Sequence, residues 1–560
     1  MVRECQSLQK DAMKKYSASK HHNSIDDSST LSGMLRMIPQ RIVCDRLVRI
    51  YVDNFENALR VLHIPTFLTE CDNFWTSQKD STTTFTDFIP QLCITMVIAS
   101  SLDGPTTVES EMPEKDFGAS EACDMVRRWT DGLKGKQRIK LSTIRTQTLL
   151  VLAHQTRHKR AEEIWSETGA LVRSAMIMGL HRNPTEFPDL TRFEQEQRRR
   201  LWMTIAEIDL QVSMTCGMPS MIRGADFEWS IPANVNDKDL FEDMALPPMQ
   251  QSSDEWTDSS CQVALANSLP LRLDAMGIVS NIRLEADCEE ILKHARKIEE
   301  YLRDLPAILK PDSTSDQAND GSGRLFGRTL LDVYLRRVVL YIYRRLAWLG
   351  SAEARTACVR SSLIILSHQD AFDPNVADLD VINSKQYWDL FYTFCKVDIV
   401  QAALSVCSEI KAMTHISSSP SNRMTSSKDK ERTHNQLMPA NSLENTSAWT
   451  KASLTRIVEN AVDGLVRRAG KLGSDLKDPV CISIILQSVR TNGSAVSKEV
   501  LMREGLITVV NGYRQTLKDE VNTGYSASKA KNTVMKHLLS PLISFVDRSL
   551  GITPIYFNNS

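Results

Sequence analysis

The chain has 560 residues, with 67 Lys and Arg against 69 Asp and Glu, a formal net charge of −2. This length admits one large domain with satellites or several domains, and the balanced charge argues against a surface that grips phosphate over its whole extent, though not against a local basic patch. No apolar run reads as long enough to span a bilayer, and the N-terminus lacks the apolar core of a secretory signal, so a reducing intracellular setting without membrane contact is expected. Twelve cysteines in so long a chain are not a disulfide framework. None stand in a C-x-x-C pair, and the nearest two, Cys395 and Cys407, are twelve apart, which argues against a structural zinc site built on paired cysteines. Most of them, such as Cys93 and Cys481, sit among apolar neighbours and read as small core residues.

Residues 1–38 are polar and irregular, and the Ser-, Asp- and His-rich part from Ser17 to Ser32 reads as disordered. Pro39 opens a first long helix, Arg41 to Leu62, with Leu47, Ile50, Tyr51, Phe55, Ala58 and Leu62 as its stripe. Pro65 disfavours a helical Ile64, so the chain turns there and a new helix starts at Thr66 or Thr69 and runs through Trp75. His63 beside this turn has no second ligand at metal spacing and is expected to close the turn by hydrogen bonding. Phe85 to Leu102 is long enough for a buried helix. Further helices are predicted over 120–134, 139–158 and 160–181. His154 and His158 stand one turn apart, but no glutamate follows the first and no third ligand is evident, so they read as ordinary side chains rather than a metal pair.

The stretch from Leu190 to Leu240 is the most informative. Thr191 followed by Glu194 is a capping box, and Glu194 and Glu196 lie near the positive end of the helix dipole. Leu201, Ile205, Ile208 and Val212 recur at helical spacing. Gly217 and Pro219 end the helix. Asp209 falls close to the apolar face and, if buried, requires a partner, for which one of Arg198, Arg199 and Arg200 is the natural candidate. The arginine run itself reads either as a solvated face with internal ion pairs or as a contact to DNA or a partner. Short connections between helices and almost no alternating pattern indicate an all-α domain.

The motifs Arg60-Val61-Leu62-His63-Ile64-Pro65-Thr66-Phe67, Leu180-His181-Arg182-Asn183-Pro184, Glu194 to Trp202, Asp209, Ser213, Gly217-Met218-Pro219 and Ile231-Pro232-Ala233-Asn234 resemble, in order, the fungal-specific transcription factor domain. This is the middle homology region of the binuclear zinc cluster regulators, and the resemblance covers roughly residues 40–350. It implies an all-α regulatory domain, residence in the nucleus and control of transcription, often of secondary-metabolite gene clusters. Relatives usually carry an N-terminal six-cysteine cluster that holds two zinc ions and enters the DNA major groove. Cys5 and Cys44 cannot form it. The resemblance therefore implies either a regulator without its own DNA-reading module or a chain that has lost its first part, and zinc is expected only with such a cluster. The partners implied are other transcription regulators or co-activators, and promoter DNA directly or through a partner; a homodimer is a further arrangement it allows.

Between residues 225 and 260 the chain carries nine Asp and Glu against one Lys, interleaved with Phe227, Trp229, Phe241 and Trp256. This composition suits either a loop packed on the helical domain or a segment that recruits co-activators. One long helix is expected from Leu271 to Leu305, ended by Pro306. Further helices are expected over 328–349, where Arg336, Arg337, Arg344 and Arg345 read as stems packed on the core with solvated heads, and over 355–368 and 385–413. The domain reading is a disordered head at 1–38, a regulatory domain at 39–350, a helical continuation at 351–414, a disordered linker at 415–447 and a helical C-terminal segment at 448–560.

Enzyme readings find little support. Gly132-Leu133-Lys134-Gly135-Lys136 has the wrong spacing for a phosphate loop, there is no G-x-S-x-G elbow, and Asp26-Asp27 is no magnesium-binding helix. No catalytic, cofactor-binding or metal-ligating residue is assigned. The rival to a transcription regulator is a non-DNA-binding modulator or scaffold that pairs with a full zinc cluster regulator.

Overall fold

The computed structural model describes residues 27–77, 85–103, 117–157, 159–224, 228, 230–279, 288–311, 322–373, 384–417, 449–472, 476–490 and 498–522. Among these residues there is no strand, and all regular structure is helical. The all-α expectation holds. The chain divides into two compact units, Met1–Leu335 with Asp380–Phe394, and Arg336–Leu379 with Cys395–Ser560.

The first unit contains α1 Asp27–Met37, α2 Arg41–Asn54, α3 Ile64–Thr76, α4 Phe88–Ser100, α5 Ala119–Gly132, α6 Leu141–Thr156, α7 Ala161–Ile177, α8 Arg192–Cys216, α9 Ser260–Val279, α10 Cys288–Asp304 and the first part of α11 Ser322–Trp348. Helix α4 is buried from Phe88 to Ala99. An apolar helix without a polar side belongs in a core, and α2, α5 and α6 pack around it. Helix α8 lies against α7 and α9 and is buried continuously from Arg200 to Met214. Each fully buried large apolar side chain there, Leu201 or Ile205 for instance, contributes about 1.5–3 kcal/mol.

The second unit holds the end of α11, helix α12 Ala352–Ser367, the later part of α13 Ser384–Ser417, and α14 Lys451–Leu472, α15 Lys477–Arg490 and α16 Lys498–Asn522. The last three pack on one another. Within this unit Arg337 is not a solvated head. It is buried and grips Asp398 with two bonds of 2.7 and 2.5 Å.

Several boundaries differ from the periodicity reading, each for a local reason. Helix α2 stops at Asn54 rather than Leu62 because the Glu56 carboxylate accepts the N–H groups of Val61 and Leu62, both at 3.0 Å. A side chain has taken the role that helical carbonyls would have played. Helix α3 begins at Ile64, earlier than expected, with Pro65 in its first turn, where its missing N–H costs nothing. The single helix expected over 271–305 is two, α9 and α10, and α9 begins already at Ser260 with Pro270 inside it. Cys481 is exposed, whereas Cys93 is buried. Tyr387–Thr414 is long and apolar enough to cross a membrane by length and composition, contrary to the reading that no such run exists. Its Trp388, Phe391, Cys395, Ile399, Ala403 and Ile410 are buried inside the protein, as in the core helix of a folded unit. Residues 1–26 of the head, His158, Phe227, Trp229 and residues 418–447 of the linker lie outside the described residues.

Candidate functional site

Three of the motifs singled out in the sequence, those at Arg60 to Phe67, Glu194 to Trp202 and Ile231 to Asn234, meet in the first unit, in a buried polar network. Thr191 and Glu194 form the reciprocal capping box, with Glu194 N–H donating to the Thr191 hydroxyl at 3.1 Å and Thr191 N–H to Glu194 Oε2 at 2.9 Å. At the other end Gly217 takes a left-handed φ of 69°. Between these stops α8 presents Glu196, Arg199, Arg200, Thr204 and Glu207 to its neighbours.

Glu196, fully buried, accepts from Arg199 Nη1 at 2.7 Å, Arg200 Nε at 3.3 Å and the backbone N–H of Ala233 at 2.9 Å. Arg200 reaches on to Asp237 Oδ1 at 2.6 Å. The second oxygen of Asp237 pairs with Arg60 and accepts the Ile64 N–H at 2.9 Å. Arg60 also donates to the Asp258 carbonyl at 2.9 Å, and Thr204 and Gln262 tie the Arg60 and Arg200 carbonyls to the same cluster. His63 lies across it, with Nε2 2.9 Å from the Asp237 carbonyl and Nδ1 2.7 Å from the Thr66 hydroxyl. A carbonyl can only accept, so Nε2 carries the proton and Nδ1 accepts from Thr66. This is the turn-closing role read from the sequence.

The electrostatics follow from burial and pairing. Burial works against the Asp237 carboxylate, but Arg60, Arg200 and the Ile64 N–H outweigh it and hold its pKa below the ordinary range. Burial pushes Glu56 up to about 7, against Arg60, Tyr51 and the Leu62 N–H. Burial, with the neighbouring guanidinium groups of Arg200 and Arg60, lowers the His63 pKa against the pull of Asp237.

A second pair lies one turn along. Glu207 receives Arg272 through two bonds of 2.8 and 2.7 Å, both side chains buried, and Gln211 donates to Glu207 at 2.5 Å. Asp209, however, has no arginine partner. It accepts from the Ser220 hydroxyl at 2.5 Å and from the N–H groups of Met221 and Ile222 at 2.8 and 3.1 Å. The chain that turns back after Gly217 brings these donors to it. Arg198 stacks over Phe187 at 5.7 Å. Of the run Arg198-Arg199-Arg200, then, the last is sealed inside and the other two, partly exposed, are engaged locally.

Every carboxylate in this cluster is met by guanidinium or backbone N–H groups, and none pairs with a second carboxylate in a cleft where substrate could enter. His154 pairs with Glu167 at 2.6 Å. No group of three or more His, Cys, Asp or Glu that could hold a metal occurs among the described residues. A hollow of about 420 Å³ beside α2 is lined by Asp45, Arg46, Arg49, Asp53 and Tyr387, and there Arg46 is already bonded to Asp103 at 3.0 Å. The arrangement can hold segments together.

The acidic loop is pinned to the network at both ends. Leu240 and Met244 join Phe193, Ala233 and Val235 in a buried apolar cluster. Asn234 donates to the carbonyls of Gln251 and Ser252 at 3.2 and 3.1 Å and accepts from Thr257 at 2.7 Å. Arg324 and Arg328 cover the Trp256 ring at 5.3 and 5.2 Å. Between these anchors Phe241, Leu246 and Met249 stand in solvent, 57%, 76% and 88% exposed. The loop both packs and displays. The sequence named the motifs that build the network but missed its pairs, Arg60 with Asp237 and Arg272 with Glu207. The one signal was a basic residue placed just ahead of the His63-Ile64-Pro65 turn.

Comparison with known proteins gives the following. Residues 48–269 match the model of the fungal specific transcription factor domain. The chain is 28% identical over 378 residues to transcription factor opdR of Penicillium oxalicum, covering 66% of this chain and 46% of the relative. It is 25% identical over 360 residues to the Zn(2)-C6 fungal-type transcription factor mpsB of Macrophomina phaseolina, covering 61% and 46%. It is 27% identical over 352 residues to the equisetin cluster transcription factor eqxF of Fusarium heterosporum, covering 60% and 49%. The chain spans about half the length of these curated relatives. No solved structure matches.

Proposed function

We propose that this chain, whose residues 48–269 match the fungal specific transcription factor domain, is a pathway-specific regulator of transcription that governs a secondary-metabolite gene cluster in a fungus. It acts in the nucleus through its helical regulatory domain, on promoters reached directly or through a partner regulator, and it is not an enzyme. The observation that carries this reading is the placement of the family's motifs. Residues from Arg60 to Phe67, from Glu194 to Trp202 and from Ile231 to Asn234 are joined by buried contacts: Ala233 N–H donates to Glu196, and Asp237, just beyond the last motif, pairs with Arg60 and Arg200. They build a domain rather than a reaction site. The names of the relatives supply the class of genes.

Deletion and over-expression of the gene in its producing fungus, read by whole-genome transcript counts, tests this. A contiguous set of biosynthetic genes that rises or falls together is the expected result; scattered changes, or none, would overturn it. The second reading is a modulator that pairs with a full zinc cluster regulator. A gel shift separates the two. On the modulator reading the 560-residue chain alone gives no sequence-specific complex and enters one only with the partner.

A further inference from the structure

The loop Phe241–Glu255 carries three exposed large apolar side chains, Phe241, Leu246 and Met249. Ordered large apolar side chains left in water mark interaction sites when they cluster, and here three fall within nine residues. Leu246 and Pro247 each precede a proline, which disfavours helix at both; the chain bends at Ala245 and Leu246, and Met249 follows three residues on. Glu242, Asp243, Asp254 and Glu255 flank them, all exposed, and no Lys, Arg or His occurs from Phe241 to Trp256. The field extends beyond the loop: at Glu70 on α3, burial raises the carboxyl pKa, Arg145 opposes it, and Asp87 and Glu242 add to the rise. The anchors matter as much as the display. With Met244 buried and Asn234 holding Gln251 and Ser252, the loop is ordered before a partner arrives, which lowers the entropy lost on binding.

We propose that this loop is a docking surface for a lysine- and arginine-rich amphipathic helix of another protein. The apolar stripe of such a helix would lie on Phe241, Leu246 and Met249 and its cationic flank against Glu242, Asp243, Asp254 and Glu255. Helix-in-surface recognition by a few apolar anchors with charge at the rim is a recurring mode, and a patch this small suits a transient micromolar contact rather than a permanent one. The inference adds the partner's chemistry to the regulator reading and rests on that reading only for where the partner is met.

The test uses the full chain and three labelled helical peptides of about 18 residues that share one leucine stripe and carry a lysine, glutamine or glutamate polar face. In fluorescence anisotropy the lysine peptide should bind roughly tenfold tighter than the glutamine peptide, with the glutamate peptide weakest. That advantage should shrink several-fold between about 0.05 and about 0.3 M salt. Hydrogen exchange should show protection over residues 241–255. The variant Phe241→Ser/Leu246→Ser/Met249→Ser should lose about tenfold in affinity while its thermal midpoint stays put, because all three side chains are exposed. Glu242→Gln/Asp243→Asn/Asp254→Asn/Glu255→Gln should erase the preference among peptides. Equal binding of all three peptides, protection elsewhere, undiminished binding by the serine variant, or protection of the loop by self-association without peptide would each overturn the proposal. None of these results depends on promoter output, so the two readings can fail separately.

Discussion

One loop contains two opposite solutions to carrying charge. At Asp237 the carboxylate is buried, shared by Arg60 and Arg200 and capped by a backbone N–H. A few residues on, Glu242, Asp243, Asp254 and Glu255 stand in solvent beside exposed Leu246 and Met249. The first region is over-determined, and its charges fix where three remote segments lie. The second is held only at its ends and leaves its charges free to meet something else. The contrast teaches that motif and exposure separate: the motifs that make the chain recognisable lie in the sealed region, and the exposed apolar and acidic side chains lie beside them.

The sharpest way to break the comparison is to unpair the sealed region. Asp237→Ala takes from Arg60 its paired carboxylate and from Arg200 one of two, the other being Glu196, and should cost about 3–5 kcal/mol, read as a lowered thermal midpoint. A small change would mean that water already reaches the cluster. The Glu207–Arg272 pair sharpens the point. Glu207→Leu or Arg272→Met alone should cost about as much, whereas the double replacement, which removes both charges, should be far milder. If the double variant is as unstable as the singles, packing and not charge sets the cost there.

A weaker effect is written in pH. Glu56 has a raised pKa, so the folded state keeps a proton that the unfolded chain releases near 4.5. Its contribution is present below that value and is lost as pH climbs to about 7. Asp237 works in the opposite sense: its depressed pKa stabilises the fold above the ordinary carboxylate range, and this is lost as pH falls through its folded value. Melting the protein from pH 4.5 to 7 and repeating the series with Glu56→Gln should show the slope flatten, and an unchanged slope would remove Glu56 from the account. Smallest of all, Gly217→Ala meets no neighbouring atom within 4 Å but must adopt a φ of 69°, a cost of about 1–2 kcal/mol that a thermal melt resolves.

Much of this fold is legible in the sequence where the cause is local. The capping box at Thr191 and Glu194, the stop at Gly217 and the largely apolar α4 are written within a few residues, and spacing finds them. His63 is likewise explained by its neighbour Thr66. What escapes is pairing between distant segments. Nothing near Arg60 says that Asp237 will meet it, and nothing near Asn54 says that Glu56 will take the N–H groups of Val61 and Leu62 and end the helix early. Asp209 shows the same limit in reverse: a nearby arginine is the obvious partner by chemistry, but the chain returning after Gly217 delivers Ser220 and two backbone donors first. In the loop, exposure of Phe241 and semi-burial of Trp256 could not be told apart, since both are aromatics among acids.

Arg272 has a practical meaning for anyone dividing the protein. The stretch that matches the domain family runs from residue 48 to 269, and a fragment trimmed to those limits keeps Glu207 and discards the guanidinium that neutralises it. Such a piece would carry an unanswered negative charge in its interior and should be insoluble or loosely folded. The physical border of the unit therefore lies further toward the C-terminus than the border drawn by similarity, and truncations meant to isolate it should run past the whole of α9.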